Sequence, residues 1–155
     1  MNKKILFALS VVFVAIVAIG TVSAIDFNLG SLFGTPPDQN ITLDGETFHI
    51  PGTFTENNNV SKNATEKDYY LFKTTEYAKG YQNDTNFINI LIFDYDGTEP
   101  DKDLINYNNG TAKEISGLDG FMYSDGVGYT FSYGKDNKVI SIQSDNESLI
   151  GHVIA

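Results

Sequence analysis

The segment Phe87-Ile-Asn-Ile-Leu-Ile-Phe93 does most to limit the folds open to this chain. Only Asn89 interrupts its apolar character. Successive side chains of a strand point to opposite sides, so a strand that is apolar on both sides suits the centre of a sheet covered on both faces. A second segment carries a different signal. Val127, Tyr129, Phe131 and Tyr133 alternate with Gly128, Thr130, Ser132 and Gly134, a period of two. That stripe reads as the inner face of a sheet, with a binding platform for sugars or peptides as the competing use. Gly134-Lys-Asp-Asn137 then turns the chain into a strand over Lys138–Gln143.

Other strands follow the same reasoning. Ile41–Leu43 and Glu46–Ile50 flank Asp44-Gly45, a pair that favours the type I′ turn of a hairpin. Residues 55–67 are polar, include three consecutive asparagines, and read as a long loop. Tyr69–Thr75, Tyr77–Tyr81, Ala112–Ser116 and Gly120–Tyr123 complete the strands. Two helices are predicted. Thr98 as N-cap, Pro100 in the first turn and Asp101 three residues on open the first, which runs to Asn109-Gly110. Ser144-Asp-Asn-Glu147 reads as a capping box for the second, with Leu149, Ile150, Val153 and Ile154 toward the core. The order predicts an α+β domain: an antiparallel sheet of about seven strands with two short helices on one face.

Ahead of this domain lies an export segment. Lys3 and Lys4 precede an uncharged apolar run, and Val22-Ser23-Ala24 ends it with small residues, the order found in a signal peptide. Ile5 to Ile25 is also long enough to cross a bilayer, so an uncleaved N-terminal anchor helix is the alternative. Either way the two lysines keep the start of the chain in the cytoplasm and the rest outside. The organisation is therefore 1–24 signal or anchor, 25–38 spacer rich in Gly and Pro, and 39–155 a single domain. No cysteine is present, so the domain folds without disulfides, and a lipoprotein anchor, thiolate metal site or Cys nucleophile is excluded.

Charge narrows the partners. The chain carries 10 lysines and no arginine against 20 Asp plus Glu. Loss of Lys3 and Lys4 leaves 8 − 20 = −12. A nucleic-acid interface needs a basic patch, so nucleic acid is not an expected partner, and membrane contact is expected through the N-terminal segment alone. Six N-x-S/T sequons occur, at Asn40, Asn59, Asn63, Asn83, Asn109 and Asn146. Chance at this composition gives about two, and none has Pro at its middle position. These six are candidate glycosylation sites on an exported chain.

Candidate chemistry concentrates in Asp94-Tyr-Asp96-Gly-Thr-Glu99-Pro-Asp101-Lys-Asp103. Hard cations take several oxygens from a short loop, so Asp94, Asp96, Glu99 and Asp101 are candidate Ca²⁺ ligands. The spacing departs from an EF-hand: Gly97 stands fourth and Ile105 twelfth. An acidic turn followed by a helix N-terminus explains the same residues, since acids complement the helix dipole there. His49 and His152 lie about 100 residues apart in a strand and a helix, and both read as facing solvent. No nucleophile elbow, Walker loop, zincin helix or dinucleotide fingerprint occurs. A two-carboxylate hydrolase needs no motif and stays open.

Phe48-His-Ile-Pro51-Gly, the strand Lys138-Val-Ile-Ser-Ile-Gln143 and the closing Ser-x-x-Glu helix resemble small exported domains of methanogenic archaea. The order of elements over residues 40–155 is similar to the PsbP/Mog1-like α+β fold. That resemblance implies a surface domain and carries no catalytic residue. The expected role is an exported, non-enzymatic cell-surface domain that binds or structures an envelope component. A small extracellular hydrolase and a calcium-stabilised module are the alternatives.

Overall fold

The computed structural model describes residues 34–69 and 72–154, so the predicted signal or anchor and most of the spacer lie outside the described residues. Ten strands and two helices follow in chain order. They are β1 (Gln39–Leu43), β2 (Glu46–Ile50), β3 (Thr55–Glu56), β4 (Lys62–Tyr69), β5 (Phe72–Gln82), β6 (Phe87–Asp94), α1 (Lys102–Ile105), β7 (Thr111–Ile115), β8 (Leu118–Ser124), β9 (Tyr129–Lys135), β10 (Lys138–Ser144) and α2 (Glu147–Ile154). Among the described residues no helix is long and apolar enough to cross a membrane.

The main sheet is antiparallel and runs β3-β5-β6-β10-β9-β8-β7, with β4 also on the outer edge of β5. β1 and β2 form a separate hairpin. As the sequence predicts, β6 is an interior strand, paired to β5 on one side and β10 on the other. Its even residues Ile88, Ile90 and Ile92 face the larger core, with Ile140, Ile142, Phe131 and Tyr133. The β1–β2 hairpin supplies Leu43, Phe48 and Ile50 to that core, and α2 supplies Ile150 and Val153. Its odd residues Leu91 and Phe93 face the other side, where Val139, Tyr95, Tyr107 and Val60 complete a smaller cluster. Tyr129, Phe131 and Tyr133 form part of the inner face rather than a platform; the rings of Phe131 and Tyr133 stack with centroids 5.7 Å apart.

The helices do not share a face. Leu104 and Ile105 of α1 pack on the smaller cluster, whereas α2 packs on the larger. A Cβ at Gly134 would come within 2.6 Å of Ile105 Cδ1, which shows how closely α1 lies on β9. Sequence periodicity assigns a helix an apolar side but not a side of the sheet. Here β6 is apolar on both sides and each side takes one helix.

Both helices also start later than predicted. Asp101, not Thr98, caps α1, and its side chain accepts from Leu104 N–H. The helix is a single turn with Asn106 as its C-cap. Ser144 belongs to β10 and donates to Phe87 C=O, while Asn146 accepts Ser148 N–H at the start of α2. In each case the nearer acid or amide satisfies the free amides of the first turn.

Residues 55–67, expected to be a loop, contain β3 and most of β4. Edge strands need no apolar face, so their polar sequence hides them. β5 is one strand of 11 residues where two are predicted. The hairpin turn has the expected left-handed pair, Asp44 at φ 47° and Gly45 at φ 79°.

Candidate functional site

Strands β9 and β10 place Thr130, Ser132, Ser141 and Gln143 on the face opposite the hairpin, and all four are buried. Such polar groups need internal partners. Tyr107, delivered by the chain after α1, supplies one. Its hydroxyl donates to Ser141 Oγ at 3.3 Å, and Ser141 Oγ lies 2.8 Å from Ser132 Oγ. Burial pushes the Tyr107 hydroxyl far above the usual tyrosine range; the hydrogen bonds of the two serines oppose that rise. This knot fixes the fold and offers no access to solvent.

One step along the same face, toward the β8–β9 connection, the cover ends. Phe87, Asp125, Val127, Gly128, Thr130 and Gln143 surround a half-open cleft of about 20 Å³. That is room for about one water or one small ligand atom group. Gln143 is 5 % exposed, its Nε2 donates to Thr130 Oγ1 at 3.4 Å, and its Oε1 has no protein partner. An unpaired buried acceptor costs free energy until a donor meets it.

The rim of the cleft is a pinned loop. Asp125 Oδ1 accepts Val127 N–H at 2.9 Å and Gly128 N–H at 3.1 Å. Gly126 takes φ 84°, a conformation that glycine adopts without strain. The result holds Val127 out into solvent at 70 % exposure. At Phe87, Asp145 Oδ1 accepts the Phe87 N–H and Asn86 Nδ2–H, each at 3.2 Å, which ties the β5–β6 turn to the end of β10. The arrangement is a surface feature held in place by side-chain hydrogen bonds on both sides.

The four candidate cation ligands do not converge. Asp94 Oδ1 accepts Asp96 N–H at 3.0 Å and bonds Asn137 Nδ2. Asp96 and Gly97 take φ 49° and 81°, and Thr98 N–H donates to Tyr95 C=O, so Asp-x-Asp-Gly forms a tight turn. Asp101 caps α1, and Glu99 is exposed. Among the described residues no three His, Asp or Glu come together to hold a metal. His49 Nδ1 lies 2.7 Å from Asn40 Oδ1, and His152 Nε2 lies 2.9 Å from Asp38 Oδ2, so the histidines stay apart. Every described Asp and Glu is half-buried or exposed.

Five of the six sequon asparagines are exposed and Asn83 is half-buried. Asn83 Oδ1 accepts from Thr85 Oγ1–H at 3.2 Å, and Asn146 Oδ1 from Ser148 Oγ–H at 2.9 Å, so two sequons fold onto themselves.

Sequence reasoning missed the cleft. Its signals were Gln143 at the end of a strand whose residues 139–142 are short or apolar and Val127 between two glycines. Neither is a motif, and their meeting depends on β9–β10 register. Comparison with protein-family models, curated proteins and solved structures gives no match.

Proposed function

We propose that this chain is an exported, non-enzymatic surface domain that binds a component of the cell envelope through the end of the sheet carrying the 125–128 loop. The observation that carries the proposal is Val127, held at 70 % exposure by two hydrogen bonds to Asp125 beside a cleft with an unpaired buried acceptor. A preformed loop loses little conformational freedom on binding, and an apolar tip gains from desolvation. In this reading residues 1–24 are the signal or anchor helix, and the domain works outside the cell, reaching the membrane only through that segment. Sugars attach at some of the six sequons. The acidic balance disfavours nucleic acid.

Co-sedimentation tests it. Protein released from its own cells, mixed with envelopes from the same cells, is expected to pellet with them, and Val127→Asp should abolish pelleting while the circular dichroism spectrum stays unchanged. Absence of pelleting, or equal pelleting of the variant, refutes the proposal.

A further inference from the structure

The segment just ahead of β1 does not behave as a free spacer. A Cβ built on Gly52 would lie 2.1 Å from Pro36 C=O oxygen and 2.4 Å from that of Pro37. No atom fits there, so the backbone of residues 36–37 lies directly on the turn that follows β2. Gly52 is not among the glycines with positive φ, so the objection to a side chain is steric alone. The next residue joins two further elements. Asp38 Oδ1 accepts Gly52 N–H at 3.1 Å, and Asp38 Oδ2 meets His152 Nε2 of α2 at 2.9 Å. Gln39 Nε2–H donates to Phe54 C=O at 3.1 Å and closes the series.

We propose that residues 36–39 are a docked strap, which fastens the chain leaving the N-terminal segment to both the β2–β3 turn and the C-terminal helix. Each contact is made by a different atom, so the strap is held in direction as well as in place. Its consequence is geometric. The preceding chain meets the body at one fixed place, over the turn that follows β2. In a domain tethered through its N-terminus, the tether would meet the body at that one place. The strap is independent of the envelope-binding proposal, since it shares no residue with the 125–128 loop.

Backbone order parameters of residues 36–39 test the strap in the folded protein. The intact protein is expected to give values near 0.85, as for rigid backbone, and Gly52→Ala should drop them below about 0.6. Asp38→Ala removes both carboxylate contacts at an exposed position without adding bulk, and should produce the same drop if Gly52→Ala does not fold. Protease cleavage within residues 34–38 should accelerate at least tenfold in either variant, with the remaining cleavage sites unchanged. Values below about 0.6 in the intact protein, or order and cleavage unaltered in a folded variant, overturn the strap.

Discussion

Alkaline pH should unfold this protein through three buried tyrosines. Tyr95, Tyr107 and Tyr133 are 2 %, 2 % and 4 % exposed. Burial, first among the causes in all three, raises their hydroxyls well above the ordinary value near 10. Charges add to the rise, from Glu76 and Asp101 at Tyr95 and from Glu46 at Tyr133. A group whose folded pKa exceeds its unfolded value contributes stability that is fully present below the unfolded pKa. That stability is lost as pH rises toward the folded pKa. The window therefore opens near pH 10, where tyrosines of the unfolded chain ionise and those of the folded chain do not. At pH 11 each contributes a loss of about 1.4 kcal/mol, and the three together about 4 kcal/mol. A domain of this size has a total stability of about 5–15 kcal/mol, so the loss is a large part of it. Urea unfolding at pH 9, 10 and 11, followed by circular dichroism, should show the midpoint falling steeply across the last unit. Absorbance at 295 nm should show at least these three tyrosines, with the buried Tyr81 whose hydroxyl burial also raises, ionising only as the chain unfolds. Tyr107→Phe should reduce the pH-dependent loss by about a third. The reasoning fails if all nine tyrosines ionise by pH 11 while the far-ultraviolet spectrum remains native.

Three further outcomes are expected. Lys138 donates to Asp44 C=O at 2.6 Å and lies 3.1 Å from Asp44 Oδ2 and 3.7 Å from Glu46 Oε1, at 15 % side-chain exposure. Lys138→Met leaves Asp44 without its lysine, while Glu46 keeps Lys135 at 2.6 Å, and should cost about 1–3 kcal/mol in urea unfolding; a loss under about 0.5 kcal/mol would show the network to be ornamental. Asn146→Ala removes the side-chain acceptor at the start of α2 and should cost about 1 kcal/mol, read from the thermal midpoint, with no change contradicting the cap. Millimolar Ca²⁺ and then a chelator should leave that midpoint unmoved, because the acids of residues 94–101 are spread over a turn and a cap; a rise with Ca²⁺ would show native-state binding.

Much of the fold was legible because its strongest signals are local. Asp44-Gly45 specifies a hairpin turn by itself, since both residues must take positive φ and Gly does so freely. The run Phe87–Phe93 is apolar on alternate and intervening positions alike, and it emerges as an interior strand. β4 was illegible because an edge strand is stabilised by ladder hydrogen bonds to β5, and those impose no pattern on its side chains. The cap positions were misread by two or three residues because Thr98, Asp101, Ser144 and Asn146 are all competent caps. Which one serves depends on where the preceding strand or turn releases the chain.

The sequence by itself determined that an apolar two-sided strand would anchor an antiparallel sheet and that short turns would join neighbouring strands. Tertiary structure alone decided that the helices take opposite faces, that the acidic turn disperses its carboxylates, that Gln143 and Val127 meet at one cleft, and that Asp38 reaches both Gly52 and His152. The physical reason is the range of the interactions. Turn conformation and strand pattern follow from neighbours one to four residues apart, whereas those four outcomes depend on strand register and on contacts between distant segments. The contact of Asp38 with His152 spans most of the described chain.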